Sequence, residues 1–359
     1  MTRRWMSWVP AAVVPALVGV SGLIGAATAG AAVDLPNKSP AQVLAMVADC
    51  TVNALSGTVE QSSALGLPAL PAGVQTGASG AGAALDLLTG SHTARVYLDG
   101  PSNVRVQVLE QLAERDVVRH GSDVWTYDSS DGAVTHLSIP TGTAGAHVTV
   151  PGEVPTPADV AGRFLTAIDP STQIGVGGDT RVAGRTAYDL VLTPRTADTL
   201  IGSVSIAVDS ETGLPLRVQV LARGAAKPAF SVGFTSLSLA MPPAGLFDFA
   251  PPAGATVHQQ TLPDRAGKAG SPSSAGTVAG SAATAPTVSG TGWSTVVRLP
   301  SGASSTATAT TPLIGELTHA VPGGRALTTS LVSVLLAPDG SVLLGAVPID
   351  RLEAVAAGR

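Results

Sequence analysis

The chain has 359 residues, of which 45% are hydrophobic and 13% charged, with a formal net charge of −5. An acidic balance without a Lys/Arg run beyond the first residues excludes a nucleic-acid partner, which requires a basic patch. Cys50 is the one cysteine, so no internal disulfide forms and a hydrophobic core must hold the fold.

Arg3 and Arg4 precede an uncharged stretch from Trp5 to Val33. A short basic start, an apolar middle and the small-residue sites Ala27-Thr28-Ala29 and Ala29-Gly30-Ala31 predict that residues 1–33 are a signal peptide or a retained N-terminal membrane anchor. Either outcome places the body outside the cytoplasm, secreted or anchored to the cytoplasmic membrane.

Ser39-Pro40-Ala41-Gln42 has the pattern of a capping box with proline in the first turn, and predicts a helix to about Asn53. Leu44 and Val47 belong to its apolar stripe. A strand over 55–63, containing Val59, is followed by a Gly/Ala/Pro-rich loop with a short helix at Leu85–Leu88. From 91 to 137, runs separated by Asp-Gly and Gly-Ser turns predict an antiparallel meander. Its apolar rows are Val96/Leu98 and Val104/Val106/Val108, with Arg105 and Gln107 opposite the latter, so the sheet has one greasy and one wet face. Trp125 and Tyr127, at strand spacing, share a face that must meet something large and apolar, either an ordinary core or a ligand.

Thr156-Pro157-Ala158-Asp159 starts a second helix carrying Phe164 and Ile168, ended by Asp169-Pro170. Strands then resume, with rows Leu190/Leu192, Val204/Ile206, Val218/Val220 and Phe230/Phe234. The main domain spans 39–257, a low-complexity linker 258–288, and a small C-terminal α/β module 289–359. That module has a strand pair around Pro338-Asp339-Gly340 and a terminal helix. Its small size predicts docking on the main domain or pairing with a second copy.

The six histidines never reach metal-ligand spacing, "IGVGGD" lacks the strand–helix context of a dinucleotide site, and no Gly-x-Ser-x-Gly elbow occurs. The expectation is a non-enzyme without metal or cofactor.

The order of these elements, with "LSGTVEQ", "DVVRHGSDVWTYDSSDGAVTHL", "SIAVDSETGLPLRVQV" and the closing "LFDFAPPAGATV", resembles the LolA/LppX/RseB superfamily over about residues 39–257. The tail "GRALTTSLVSVLLAPDGSVLLGAV" is similar to extensions on exported relatives from high-GC Gram-positive bacteria. The resemblance implies an α+β fold: a strongly curved antiparallel half-barrel wrapped over a few helices. It implies binding of lipid or lipoprotein acyl chains in an apolar cavity, as by a LolA-like carrier. The alternative is an RseB-like envelope regulator that binds a membrane anti-sigma factor or another membrane partner. The cavity wall would be Val59, Val96, Leu98, Val104, Val106, Val108, Trp125, Tyr127, Leu190, Leu192, Val204, Ile206, Val218, Val220, Phe230 and Phe234. The plug helices would contribute Leu44, Val47, Phe164 and Ile168. The sequence shows neither a lipobox nor a clear second regulatory domain of the RseB type.

Overall fold

A computed structural model describes residues 34–66, 90–109, 113–130, 132–139, 154–261, 286–301 and 317–358. The leader, the helix expected at Leu85–Leu88 and most of the linker lie outside the described residues. Internal contacts divide the chain at Pro36, and every described helix and strand belongs to Asn37–Arg359.

Helix α1 (Pro40–Ala48) begins as its sequence dictates: Ser39 Oγ accepts the Gln42 N–H, and Gln42 Oε1 accepts the Ser39 N–H at 2.8 Å. It stops short of the expected Asn53, because Thr51 and Val52 are β-branched and the next strand, β1 (Ala54–Ser63), follows at once. The meander follows as β2 (Gly90–Asp99), β3 (Asn103–Leu109), β4 (Glu114–His120), β5 (Asp123–Asp128) and β6 (Ala133–Ser138). Helix α2 (Pro157–Thr166) is capped by Thr156 and Asp159 in the same reciprocal way as α1. Then come β7 (Thr172–Val176), β8 (Thr180–Val182), β9 (Arg185–Pro194), β10 (Ile201–Asp209), β11 (Pro215–Ala222) and β12 (Pro228–Ser238). A 3₁₀ turn (Ala244–Phe247) leads into β13 (Thr256–Thr261).

These strands form one large, curved sheet that does not close into a barrel. Its order is β13-β6-β5-β4-β3-β2-β1-β12-β11-β10-β9-β7, with β8 also on β9. All pairings are antiparallel except that β13 runs parallel to β6, so the sheet is mixed. Residues 258–261, expected in the linker, are therefore strand.

Directly paired residues share a face. The registers put Val59 beside Ala94 and Phe234, Val96 beside Val106, Val218 beside Val232 and Ile206, and Ile206 beside Leu190. This inner face is the core: Val59, Leu190, Leu192, Val204, Ile206, Val218 and Val232 have 0% exposure. Burying each such side chain stabilises the fold by about 1.5–3 kcal/mol. Helix α1 packs near β7 and β9, and α2 near β11 and β12. The outer face of the same strands carries Arg217, Gln219, Asp189 and Ser205.

The C-terminal module is a separate antiparallel sheet: β14 (Thr287–Ser289), β15 (Val296–Leu299), β16 (His319–Val321), β17 (Gly324–Thr328), β18 (Ser333–Leu336) and β19 (Val342–Gly345), ordered β14-β15-β19-β18-β17-β16. Helix α3 (Ile349–Ala356) packs on β18 and β19, and its Leu352 joins Val296, Leu335, Leu343 and Val347 in one buried cluster. Of the two alternatives for this small module, docking is the one seen. Leu200 N–H donates to Ala346 O at 2.9 Å, Ser330 N–H to Leu65 O at 2.9 Å, and Trp293 Nε1 to Thr172 Oγ1 at 2.8 Å. Trp293 also stacks on Phe164, with ring centroids 6.3 Å apart.

Candidate functional site: the inner face and its outer strap

Fourteen of the expected wall residues share the inner face; Trp125 and Tyr127 do not. In β4 the partner of Val106 is Val117, which leaves Val118 and Asp116 on the outer face beside Arg105 and Gln107. Trp125 pairs with Val118 and Tyr127 with Asp116, so both rings stand outside. The reading of a shared face is right and its assignment to the concave wall is corrected. The cause is a reversal between β3 and β4: β3 buries Val106 and Val108 inward, whereas β4 buries Asp116 and Val118 outward.

The rings meet residues 244–249. Trp125 lies 5.5 Å from Phe249 and Tyr127 6.4 Å from it, centroid to centroid, while Trp125 stacks on His136 at 4.0 Å. Arg105 forks onto Asp116 at 3.1 and 2.6 Å and donates to Leu246 O at 3.0 Å, fastening the 3₁₀ turn to β3 and β4. His136 spans Asp123 Oδ1 at 2.8 Å and Gln259 Oε1 at 2.9 Å, fastening β13 to β6 and β5. Residues 244–249 thus form a strap over the outer face of β3–β5, and the chain then joins the sheet edge as β13 beside β6. Burial raises the Asp116 carboxyl above its ordinary value, against the opposing bond and charge of Arg105. None of these strap contacts follows from periodicity; the one available signal was Phe247 and Phe249 at strand spacing, followed by Pro251-Pro252.

The inner wall grades from closed to open. Leu190, Leu192, Val204, Ile206, Val59 and Val218 are fully buried, and Val96, Val106, Val108, Val220 and Phe234 nearly so. Leu98, Val104 and Phe230 are half-buried, as is Val117, which sequence reading did not single out. Arg115 and Asp128 face each other across 3.7 Å beside this open sector, on the inner side by register. Among the expected plug residues Leu44, Val47, Phe164 and Ile168 are half-buried; the deepest helix positions are Val43 and Ala161. Phe164 meets Trp293 of the C-terminal module, and Ile168 lies beyond the end of α2.

A further open groove of about 380 Å³ runs between α1 and the β10–β11 turn, bordered by Lys38, Gln42, Asp49 and Glu211, and none of the wall residues lines it. Behind it, Asp209 holds Arg185 through two 2.8 Å bonds. Burial opposes ionisation of Asp209, but bonds from Arg185 and Thr212 outweigh it and lower its pKa. Among the described residues no group of three His, Cys, Asp or Glu side chains could hold a metal ion, and no helix is long and apolar enough to cross a membrane.

Residues 90–245, from β2 to the 3₁₀ turn, match the family model of the MucB/RseB N-terminal domain. The chain is similar in structure to MucB in the MucA/MucB complex of Pseudomonas aeruginosa (17% identity, 88% of this chain and 96% of that chain covered, TM-score 0.43). It is also similar to an uncharacterized conserved protein from Thermus thermophilus (13%, 61% and 98%, TM-score 0.35). A LolA superfamily protein from Nitrosomonas europaea is a third such structure (12%, 59% and 99%, TM-score 0.23). No curated protein matches the chain. MucB/RseB and LolA-like families are non-catalytic binding proteins. Residues 90–245 are thus similar to the MucB/RseB N-terminal domain, in line with the LolA/LppX/RseB superfamily that the sequence resembles.

Proposed function

We propose that this chain is an extracytoplasmic, non-catalytic binding protein that shields an acyl chain of a lipid or lipoprotein against the open sector of its inner face. The observation that carries the reading is the continuous apolar face, which passes from fully buried Leu190 and Ile206 to half-buried Leu98 and Val104. Each methylene placed there contributes about 0.8 kcal/mol, so a chain of moderate length binds without a polar anchor. Residues 1–33 would direct the protein across the membrane or hold it there.

The experiment is intact mass spectrometry of the full-length protein purified from its own host without detergent. The expected result is an additional mass of lipid, reduced severalfold in Leu98→Asp and Val104→Asp variants with unchanged circular dichroism. Charged residues at Val106 or Ile206 are less useful, because at 1% and 0% exposure they would unfold the sheet. Unmodified protein mass in every preparation would overturn the reading.

A second reading is favoured by the family match: a regulator of the RseB type that binds a membrane anti-sigma factor or another membrane protein. In-cell cross-linking distinguishes it, since a regulator is captured with one membrane protein whether or not lipid is bound.

A further inference from the structure

An open sheet has edges, and each edge presents main-chain N–H and C=O groups that a further strand can take up. Among the described residues, the main sheet ends in β13 and β7, and the C-terminal sheet in β14 and β16. Three of these strands carry a recognisable protection. β14 and β16 have three residues each, as does β8, which shares β9 with β7, and such short strands make poor templates. β7 lies near α1, and its Thr172 accepts from Trp293 Nε1. β13 has neither device. Its six residues run in unbroken register along β6, with no bulge, no proline and no Lys, Arg, Asp or Glu, and residues 256–260 are all exposed.

The side chains of β13 say what fits. The chain as a whole carries a net charge of −5, which opposes association of two copies, but β13 has no charge of its own to repel its image. Val257 and Gln259 stand on the outer face beside Val134 and His136, and His258 and Gln260 on the inner face beside Thr135 and Leu137. Two such strands related by a two-fold axis perpendicular to the sheet are antiparallel and keep their faces, so each residue meets one from the same face. Centred on Gln259, the pairing sets that amide against its own image, donor to acceptor, and His258 against Gln260, imidazole to amide. His136 Nδ1 meets Gln259 Oε1 at 2.9 Å and orients the amide. Centred on His258, the pairing would set imidazole against imidazole and Val257 against Gln259.

We infer that the edge of β13 turned away from β6 is the docking surface for β13 of a second copy of this chain, antiparallel and centred on Gln259, joining two main sheets into one. The contact is isologous, so it closes at two copies. So short a contact makes a reversible dimer, whose population follows protein concentration. The pairing is made by main-chain groups at the sheet edge and stands whether or not the inner face holds an acyl chain.

The test is sedimentation velocity of the full-length protein over a concentration series, beside two double variants with unchanged circular dichroism. The wild type should pass from monomer to dimer. His258→Lys with Gln260→Lys sets like charges opposite each other across the axis and should weaken the dimer by about tenfold or more. His258→Lys with Gln260→Glu sets opposite charges there and should restore it. A monomer at every concentration, which would leave the edge to a strand of another protein, overturns the inference. So does a dimer indifferent to the two lysines, or a loss that the Lys/Glu pair does not restore. Hydrogen exchange on the wild type keeps the test independent of the variants. Amide protection of the peptide containing residues 256–261 should rise about twofold or more from dilute to concentrated protein, and protection that ignores concentration would count equally against it.

Discussion

Trp125 lies on His136 with ring planes 15° apart and centroids at 4.0 Å, on the side of the sheet opposite Val106. The pair closes the outer strap rather than the inner wall. Trp125→Ala should therefore destabilise the protein by about 2–3 kcal/mol, below a fully buried aromatic because the ring is half-exposed. Chemical denaturation measures that loss. Hydrogen exchange should show β13 losing protection first, while acyl loading of the folded fraction stays at the wild-type level.

Two buried carboxylates impose opposite pH dependences. Asp116 has a folded pKa above the ordinary 3.8, so its contribution is fully present below 3.8 and is lost as pH rises through the raised value. Asp209 has a folded pKa below 3.8, so its contribution is present above 3.8 and is lost as pH falls through the depressed value. Urea midpoints of the wild type, Asp116→Asn and Asp209→Asn from acid to neutral pH read both. The wild-type advantage over Asp209→Asn should shrink on acidification, and the pH slope just above 3.8 should flatten in Asp116→Asn.

Gly213 has φ 76° in the β10–β11 turn, and an added Cβ would overlap the Met46 carbonyl oxygen of α1. Gly213→Ala should cost at least about 1–2 kcal/mol from the left-handed backbone alone. Displacement of α1 adds to this, so thermal unfolding should shift well below that of an alanine at Gly224, whose φ is also 76° but whose surroundings are open.

Trp293 joins the modules through Thr172 and Phe164. Trp293→Ala should weaken the joint by about 1–2 kcal/mol. Calorimetry should then resolve two unfolding transitions in the variant against one expected for the intact protein, with each module's circular dichroism retained.

The legible parts of this protein are those in which local chemistry decides the outcome. Ser39 with Gln42 and Thr156 with Asp159 specify helix starts whatever packs on them, and the alternation of Val104, Val106 and Val108 specifies a one-sided strand. The side on which Trp125 stands was not legible, because it depends on register across β3 and β4. In "ERDVVRH" the adjacent valines offer one apolar residue to each face, so alternation alone cannot choose between them. Strand β13 was hidden for a related reason: "TVHQQT" is mostly polar and its residues 256–260 are exposed, and it forms a strand because His136 and the β6 backbone receive it. The open sector of the inner wall was visible as valine rows, but its limits are set by what lies over each row in three dimensions.

Two bonds of the seam between the modules run from main chain to main chain, Leu200 N–H to Ala346 O and Ser330 N–H to Leu65 O, and Ala346 O also accepts from Thr199 Oγ1. Backbone amides and carbonyls are the same in almost every amino acid. Mutational drift can therefore replace most side chains along the seam without parting the modules, and Trp293 is the position where substitution should be felt.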